Sequence, residues 1–377
     1  MLKMTLVVSA ILTSCTFASA QVLVAIDSGR AISRIDPITG AKTVFKNATA
    51  NAGTTAGLAV DLATNVLYLA SSSTDSLYTL DVNTGNATLV GPFGDATIVM
   101  HGLEIDASTG TLYGASGGGS NFNLYTISKV TGAATLVGPL GLSSFTNLCY
   151  DLTSNTMYAT NSNTDSWYMV NLATGAATLI GPLSGPTNPN GLAYDLASNT
   201  IYLVDNNTDS LYTVNRATGS ATLVGPTGAG NLLGLVSMPH TGTYSVFGSG
   251  CAGTLGVPVN LGVVPPAAGE TMVANFGNLP FDIAVVMLAL SNTTATGFGP
   301  LPIDLGVLGA PGCSGRVSPD QSFFVVGTAG TAAFVLPIPN DPAVFVGVDF
   351  YTQALVFDSV NAFGFTLSDA AGARIGI

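Results

Sequence analysis

Positive charge is scarce in this sequence: Lys and Arg together number 9 in 377 residues, against 21 Asp and Glu, for a net charge of −12. The few cations are scattered. Phosphate backbones are held by clustered Lys and Arg, so nucleic acid is excluded as a partner. Anionic membrane surfaces are excluded on the same ground. With 2 His and 4 Cys, none of them grouped, the spacing of a zinc site is missing. The single Trp, Trp167, is too little aromatic surface for a quinone-stacking enzyme. No run of ~20 residues lacks turn formers, so no spanning helix is expected. Helical periodicity is missing as well. What remains is 47% hydrophobic, with 45 Gly and 19 Pro bounding short alternating runs of β-branched and aromatic residues. That pattern is all-β.

The alternating runs recur. The pair Thr-Gly falls at Thr39-Gly40, Thr84-Gly85, Thr131-Gly132, Thr174-Gly175 and Thr218-Gly219, a period of 43 to 47 residues. All-strand units of this length are characteristic of propeller blades. In the first full unit, strands are expected at 57–61 (a), 66–70 (b), 77–81 (c) and 87–90 (d), with Gly91-Pro92 ending d because Pro donates no ladder hydrogen bond. Asp61-Leu-Ala-Thr-Asn65 and Asp81-Val-Asn-Thr-Gly85 read as type I turns closed by a left-handed residue. The N-terminus enters out of phase, with b, c and d at 22–27, 31–36 and 43–45 but no strand a. The missing strand is supplied by Gly234-Leu-Val-Ser-Met238. The expected fold is therefore a five-bladed β-propeller closed by pairing of N- and C-terminal strands, spanning 21–242. Thr241-Gly-Thr-Tyr244 is either an extra blade strand or the start of a second unit.

From about residue 243 the repeats stop. Segments at 283–290, 323–326, 345–350 and 354–358 alternate, and the Pro-rich 301–305 and 335–340 read as further strand segments, giving a β-sandwich over 243–377. Residues 1–20 read as an export signal, with Lys3, an apolar core from Thr5 to Leu12 and small residues Ala18-Ser19-Ala20. Leu12-Thr13-Ser14-Cys15 allows a second reading, an outer-membrane lipoprotein anchored through Cys15. In an exported chain Cys251 and Cys313, both in Gly-rich settings, are the expected disulfide, and Cys149 a buried free thiol.

Residues 21–238 resemble the secreted bacterial β-propellers built from Thr-Gly-x-x-Thr-x-Val-Gly repeats, relatives of the YVTN, NHL and PQQ-like arrays. The carriers are Tyr78-Thr-Leu-Asp-Val-Asn-Thr-Gly85 through Leu89-Val-Gly-Pro92 and their copies. The tail resembles a C-terminal module of large secreted proteins of environmental bacteria, through Phe247-Gly-Ser-Gly-Cys251, Leu301-Pro-Ile-Asp-Leu305, Gly309-Ala-Pro-Gly-Cys313 and Ile338-Pro-Asn340. The resemblance implies fold and export. It brings no functional residues, because propellers host many activities.

Chemistry is expected where the b–c and d–a loops share a face. The b–c loops carry Asp75, Asp165 and Asp209 at equivalent points, either binding cations such as calcium or accepting hydrogen bonds from their own turns. The d–a loops differ from one another and bring His101, Asn188, Asn190 and Asn231 towards the axis. Glu104 is the carboxylate that departs from Ala59, Cys149, Ala193 and Val236 at one inner-strand position. The tyrosines of strands b and c are expected to pack blade against blade, and His240 to be solvated. The expected function is a secreted, non-enzymatic binding or surface-interaction protein for a glycan or cell-surface protein. The alternatives are an extracellular hydrolase or lyase using His101 and Glu104, and a structural envelope component.

Overall fold

The computed structural model describes residues 21–118 and 121–377; residues 1–20, where an export signal is expected, and with them Cys15, lie outside the described residues. Residues 21–239 form five four-stranded antiparallel sheets, a repetition consistent with a β-propeller. The first sheet orders its strands Leu232–Pro239, Gln21–Asp27, Ala31–Ile35 and Lys42–Asn47. The strand beside Gln21–Asp27 that completes this sheet is thus drawn from the far end of the repeats, in the register Val24↔Val236 and Ile26↔Gly234. Each remaining sheet uses four consecutive strands. The second runs from Thr55–Asp61 to Ala87–Pro92, and the third from Met100–Asp106 to Ala134–Pro139. The fourth spans Phe145–Asp151 to Ala177–Pro182, and the fifth Pro189–Asp195 to Ala221–Pro226.

The turns form for local reasons. Asp61 Oδ1 accepts the N–H groups of Ala63 (3.1 Å) and Thr64 (3.4 Å), and Asn65 ends the turn at φ 56°. Asp81 does the same for Asn83 (2.9 Å), with Gly85 at φ 77°. One expectation fails at the outer strand: Gly91-Pro92 does not end it. The ladder continues to Ser76↔Pro92 after a bulge at Leu77/Tyr78, because Pro92 lies on an edge strand, where its missing N–H costs no ladder bond.

Those Gly-Pro ends have a tertiary purpose. A β-carbon on Gly91 would lie 2.1 Å from the Thr131 carbonyl, and one on Gly132 would lie 2.1 Å from the Gly91 carbonyl. The same reciprocal contact joins Gly138 with Gly175, and Gly225 with Gly40. Thr-Gly and Val-Gly-Pro recur together because they touch across neighbouring sheets.

Between successive sheets lie apolar cores. Tyr68 and Tyr125 share one with Leu103 and Met100; Tyr113 and Tyr168 share the next with Phe145. Tyr158 and Tyr212 share a third with Trp167, which stacks on Tyr158 at 4.9 Å. Tyr202 packs against Leu23, Ala25 and Ile35 of the first sheet, and Tyr78 against Val22 and Val24. All eight strand b and c tyrosines are buried. Ring pairs at this spacing contribute beyond their buried area.

Beyond residue 242 the pairing becomes long-range. Thr243–Phe247 pairs with Phe365–Arg374, in a five-stranded sheet continued by Asp349–Phe357, Ile283–Ala289 and Gln321–Val326. A three-stranded sheet of Val259–Val264, Thr271–Gly277 and Thr331–Pro337 faces it. Met272, Phe276 and Phe334 of the smaller sheet share a core with Val286, Phe350 and Val356 of the larger. Two expectations are corrected here. Residues 345–350 are not one strand: Pro342 starts the short helix Pro342–Phe345, and Gly347 at φ 86° breaks extension before Asp349. In 301–305 only Ile303–Asp304 pairs, because Pro302 offers no N–H and Gly306–Leu308 coils into a 3₁₀ turn. Cys251 and Cys313 form the disulfide, beside Leu367 and Ala310.

The two regions touch. Ala268, Val346 and Ile377 complete the core between the first and second sheets. Arg34 donates to the Ala268 carbonyl and faces Glu270 at 3.7 Å. His240, expected to be solvated, is part-buried with Nδ1 2.7 Å from the Ile377 oxygen.

Candidate functional site

On the b–c and d–a side, the end of the fifth sheet carries a connected set of amides. Asp205 is buried where its strand ends. Its Oδ2 accepts the N–H groups of Thr187 (2.8 Å) and Asn188 (2.6 Å), which fixes the preceding d–a loop. Its Oδ1 accepts those of Asn207 (3.1 Å) and Thr208 (2.8 Å). Asn206 Nδ2 donates to Asn231 Oδ1 at 3.0 Å, and Asn231 Nδ2 to Ser28 Oγ at 3.2 Å, which ties the fifth sheet to the first. Asn207 and Asn231 are exposed and Asn188 is half-buried. Asn190 is buried, with Nδ2 donating to the Asn188 carbonyl at 2.9 Å, so it positions Asn188 rather than facing outward. Asn206 and Asn207 were not among the expected site residues. The signal for them was present, since Asn-Asn stands where the equivalent loops of the second and fourth sheets have Ser-Ser and Ser-Asn.

Asp75, Asp165 and Asp209 occupy the left-handed position of their hairpins, at φ 46°, 45° and 47°. Their carboxylates do not cap their own turns as expected. Asn161 Oδ1 and Asp205 Oδ1, four residues earlier, take the turn N–H groups, and Ser71 Oγ does so in the second sheet. The Asp residues contribute backbone: their carbonyls accept from Phe93, Leu183 and Thr227 at 2.9, 2.9 and 2.7 Å. Burial, and then the neighbouring Asp205, push the Asp165 carboxyl up, and its Oδ1 is buried without a partner. Among the described residues no three His, Cys, Asp or Glu converge as metal donors.

His101 is the second residue of the inner strand of the third sheet, half-buried against the b–c loop, where a β-carbon on Gly117 would sit 3.0 Å from its Nδ1. Burial lowers its pKa and favours neutral imidazole. Glu104 is three positions further along the strand and faces the other way. The structure gives no hydrogen bond or ion pair between them.

What separates them is the innermost layer. At equivalent points the five inner strands carry Gly57, Gly102, Asn147, Gly191 and Gly234. A β-carbon on Gly57 would meet the His101 carbonyl at 2.5 Å, and one on Gly102 the Asn147 backbone at 2.8 Å. Glycine is needed for the strands to approach so closely. Asn147, wholly buried, takes up the remaining space: Nδ2 donates to the Leu233 carbonyl of the first sheet at 3.0 Å, and Oδ1 accepts from Leu148 N–H at 2.9 Å.

Beyond that layer, on the a–b side, lies a cavity of about 310 Å³ bounded by all five sheets. Val60, Ile105, Tyr150, Leu152, Tyr194 and Val236 contribute to its wall, and Glu104 enters it. Oε1 of Glu104 accepts from Ile105 N–H at 2.7 Å and Oε2 from Tyr150 N–H at 3.3 Å. Burial pushes its carboxyl up to about 8, against the pull of those two N–H groups. The side chain is only half-buried because one side faces the cavity. Asp61 of the wall pairs with Lys129 at 2.8 Å, and Asp151, between Tyr150 and Leu152 of the wall in sequence, pairs with Arg216 at 3.0 Å, each across two sheets. Burial alone would raise these carboxyls; hydrogen bonds and the cations hold both below the usual range.

No family model matches the chain, and no curated protein sequence matches it. Solved structures similar to it include a chain of a nidogen/laminin complex, at 17% identity and TM-score 0.43, over 59% of this chain and 86% of that one. Another is a gluconolactonase from Xanthomonas campestris, at 15% identity and TM-score 0.41, over 59% and 84%. A third is hydrazine synthase from Kuenenia stuttgartiensis, at 14% identity and TM-score 0.38, over 54% and 82%.

Proposed function

We propose that the chain is an exported, non-enzymatic binding protein: a five-bladed propeller closed by the pairing of Gln21–Asp27 with Leu232–Pro239, carrying a C-terminal two-sheet sandwich. Support for the closed ring comes from the core that packs Tyr202 on Leu23 and from the Gly225–Gly40 contact, which repeat between the last and first sheets what joins the others. Export is supported by the Cys251–Cys313 disulfide. No helix among the described residues is long and apolar enough to cross a membrane, which does not bear on a β-barrel.

The observation that carries the binding reading is the amide set Asn188, Asn206, Asn207 and Asn231: Asp205 accepts the backbone N–H groups of Asn188 and Asn207, and Asn206 and Asn231 hold each other. Fixed amides, each both donor and acceptor, match sugar hydroxyls without a desolvated charge. The ligand class is an uncharged glycan. Calorimetry against neutral oligosaccharides is expected to give millimolar or tighter binding that Asn207→Ala and Asn231→Ala weaken by about tenfold, roughly 1.4 kcal/mol. No binding across the panel, or binding indifferent to both variants, would sink this reading. The hydrolase alternative is not favoured, since His101 and Glu104 lie on opposite sides of the glycine layer.

A further inference from the structure

We propose that the cavity on the a–b side is a second binding site, for a small amine with an apolar body. It lies on the opposite face from the amide set and stands independently of the glycan reading.

Three features lead to that ligand. The first is the wall. Val60, Ile105, Leu152, Ala193 and Val236 are apolar, and Tyr150 and Tyr194 add ring surface, so the body of a ligand trades water for hydrocarbon and aromatic contact. A wall of this kind gives a sugar few partners. The second is Glu104, which enters a cavity otherwise lined by apolar and neutral side chains and by the committed Asp61. A carboxylate has about four acceptor positions, and two backbone N–H groups use two of them. The remaining capacity faces the cavity. The third is the commitment of the nearby cations: Lys129 is bound to Asp61, and Arg216 to Asp151 and to Asn199. Among the described residues no basic group hydrogen-bonds to Glu104, and the other carboxylate of the lining, Asp61, is already paired. An anion would be repelled by the ionised form of Glu104, and a neutral ligand would leave that form without a counter-charge. A divalent metal would find one carboxylate, without the further oxygen donors it needs.

Proton balance follows from the surroundings. Cys149 on the adjacent inner strand and the Tyr150 and Tyr194 hydroxyls are all shifted upward by burial and are neutral at pH 7. Asp61, Asp106 and Asp151 are held low and stay charged. Asp195 accepts hydrogen bonds from Ser198 and Ser237 and is not part of the lining. Glu104 is therefore the group that changes state. Burial favours the protonated carboxyl in the free protein. An alkylammonium entering the cavity forms the ion pair, and that proton leaves to solvent. Affinity rises with pH until Glu104 is ionised without the ligand.

The test is calorimetric titration of the full chain with cyclohexylamine and with cyclohexanol, its neutral counterpart in shape. The amine is expected to bind at least about tenfold more tightly at pH 8.5, and to weaken by about tenfold per pH unit below pH ~7. At pH 7, two buffers of different ionisation enthalpy should report release of about one proton. Glu104→Gln is expected to remove the preference for amine over alcohol. Ala193→Val, which fills space without touching the carboxyl, should weaken both ligands. Equal binding of amine and alcohol would mean an apolar cavity only and would overturn the proposal. So would amine binding unchanged in Glu104→Gln, absence of heat with either compound, or displacement of the amine by calcium.

Discussion

The repeat region and the C-terminal region are both antiparallel β, yet they are held together by different means. In residues 21–239 nearly every ladder joins neighbours in sequence, and the sheets meet through glycine contacts and shared tyrosine cores. In residues 243–377 the first strand pairs with the last, and a disulfide ties Cys251 to Cys313 across 62 positions. Short-range pairing costs little loop-closure entropy and is specified turn by turn. Long-range pairing costs more, and a cross-link that shrinks the unfolded ensemble offsets part of that cost. Repetition stabilises the first region where the second relies on a covalent bond.

The largest expected effect tests that contrast directly. Replacing Cys251 and Cys313 by Ser should cost about 4 kcal/mol in the chain-entropy model. The loss should be confined to the C-terminal region. Hydrogen exchange should show Phe365–Arg374 losing protection while Thr55–Asp61 keeps it; equal loss in both would erase the distinction.

Next comes glycine. Gly225→Ala places a β-carbon 2.0 Å from the Thr39 carbonyl, between the fifth and first sheets. A backbone clash that only sheet displacement relieves should cost about 3 kcal/mol. Gly372→Ala in the other region meets Tyr351 at an ordinary 3.5 Å, and should cost less than about 1 kcal/mol by the same comparison. Thermal unfolding of the two variants measures the gap.

Ion pairs sharpen the contrast further. Arg216→Ala strands Asp151, whose side chain is 0% exposed, at about 2 kcal/mol. Arg374→Ala breaks a pair whose partners are 48% and 43% exposed, worth less than about 0.5 kcal/mol. Urea midpoints of the two variants should differ accordingly.

The most specific effect is pH dependence in the repeat region. The folded pKa of Glu104, about 8, lies above its ordinary 4.5, so the folded state binds more protons between those values. Stability therefore falls as pH rises through that window and levels off above it. Glu104→Gln should remove this slope, being more stable than the parent at pH 8.5 and level with it near pH 4. A slope that survives the substitution would place the titrating group elsewhere.

Much of the repeat region was legible because hairpin turns are local chemistry. Asp61, Asp81 and the left-handed Asn65 and Gly85 act within five residues of one another. The outer strand was misjudged at Pro92 because edge position, which makes proline harmless, is not a local property. The same limit applied in the tail, where 345–350 alternates like a strand but is interrupted by Gly347. At the candidate sites the sequence singled out Glu104 and the d–a loop asparagines, but it paired Glu104 with His101. Asn147, the side chain that fills the axis, showed only as a departure from the glycine of four other units.

By itself the sequence determined the strand repeat, its turns and the out-of-phase start, because each rests on short-range chemistry or on the counting of like units. Tertiary structure alone decided that Thr-Gly meets Val-Gly-Pro across sheets, that four glycines and Asn147 close the axis, and that Glu104 faces a cavity out of reach of His101. Those outcomes depend on how closely five inner strands can approach, a distance no single strand encodes.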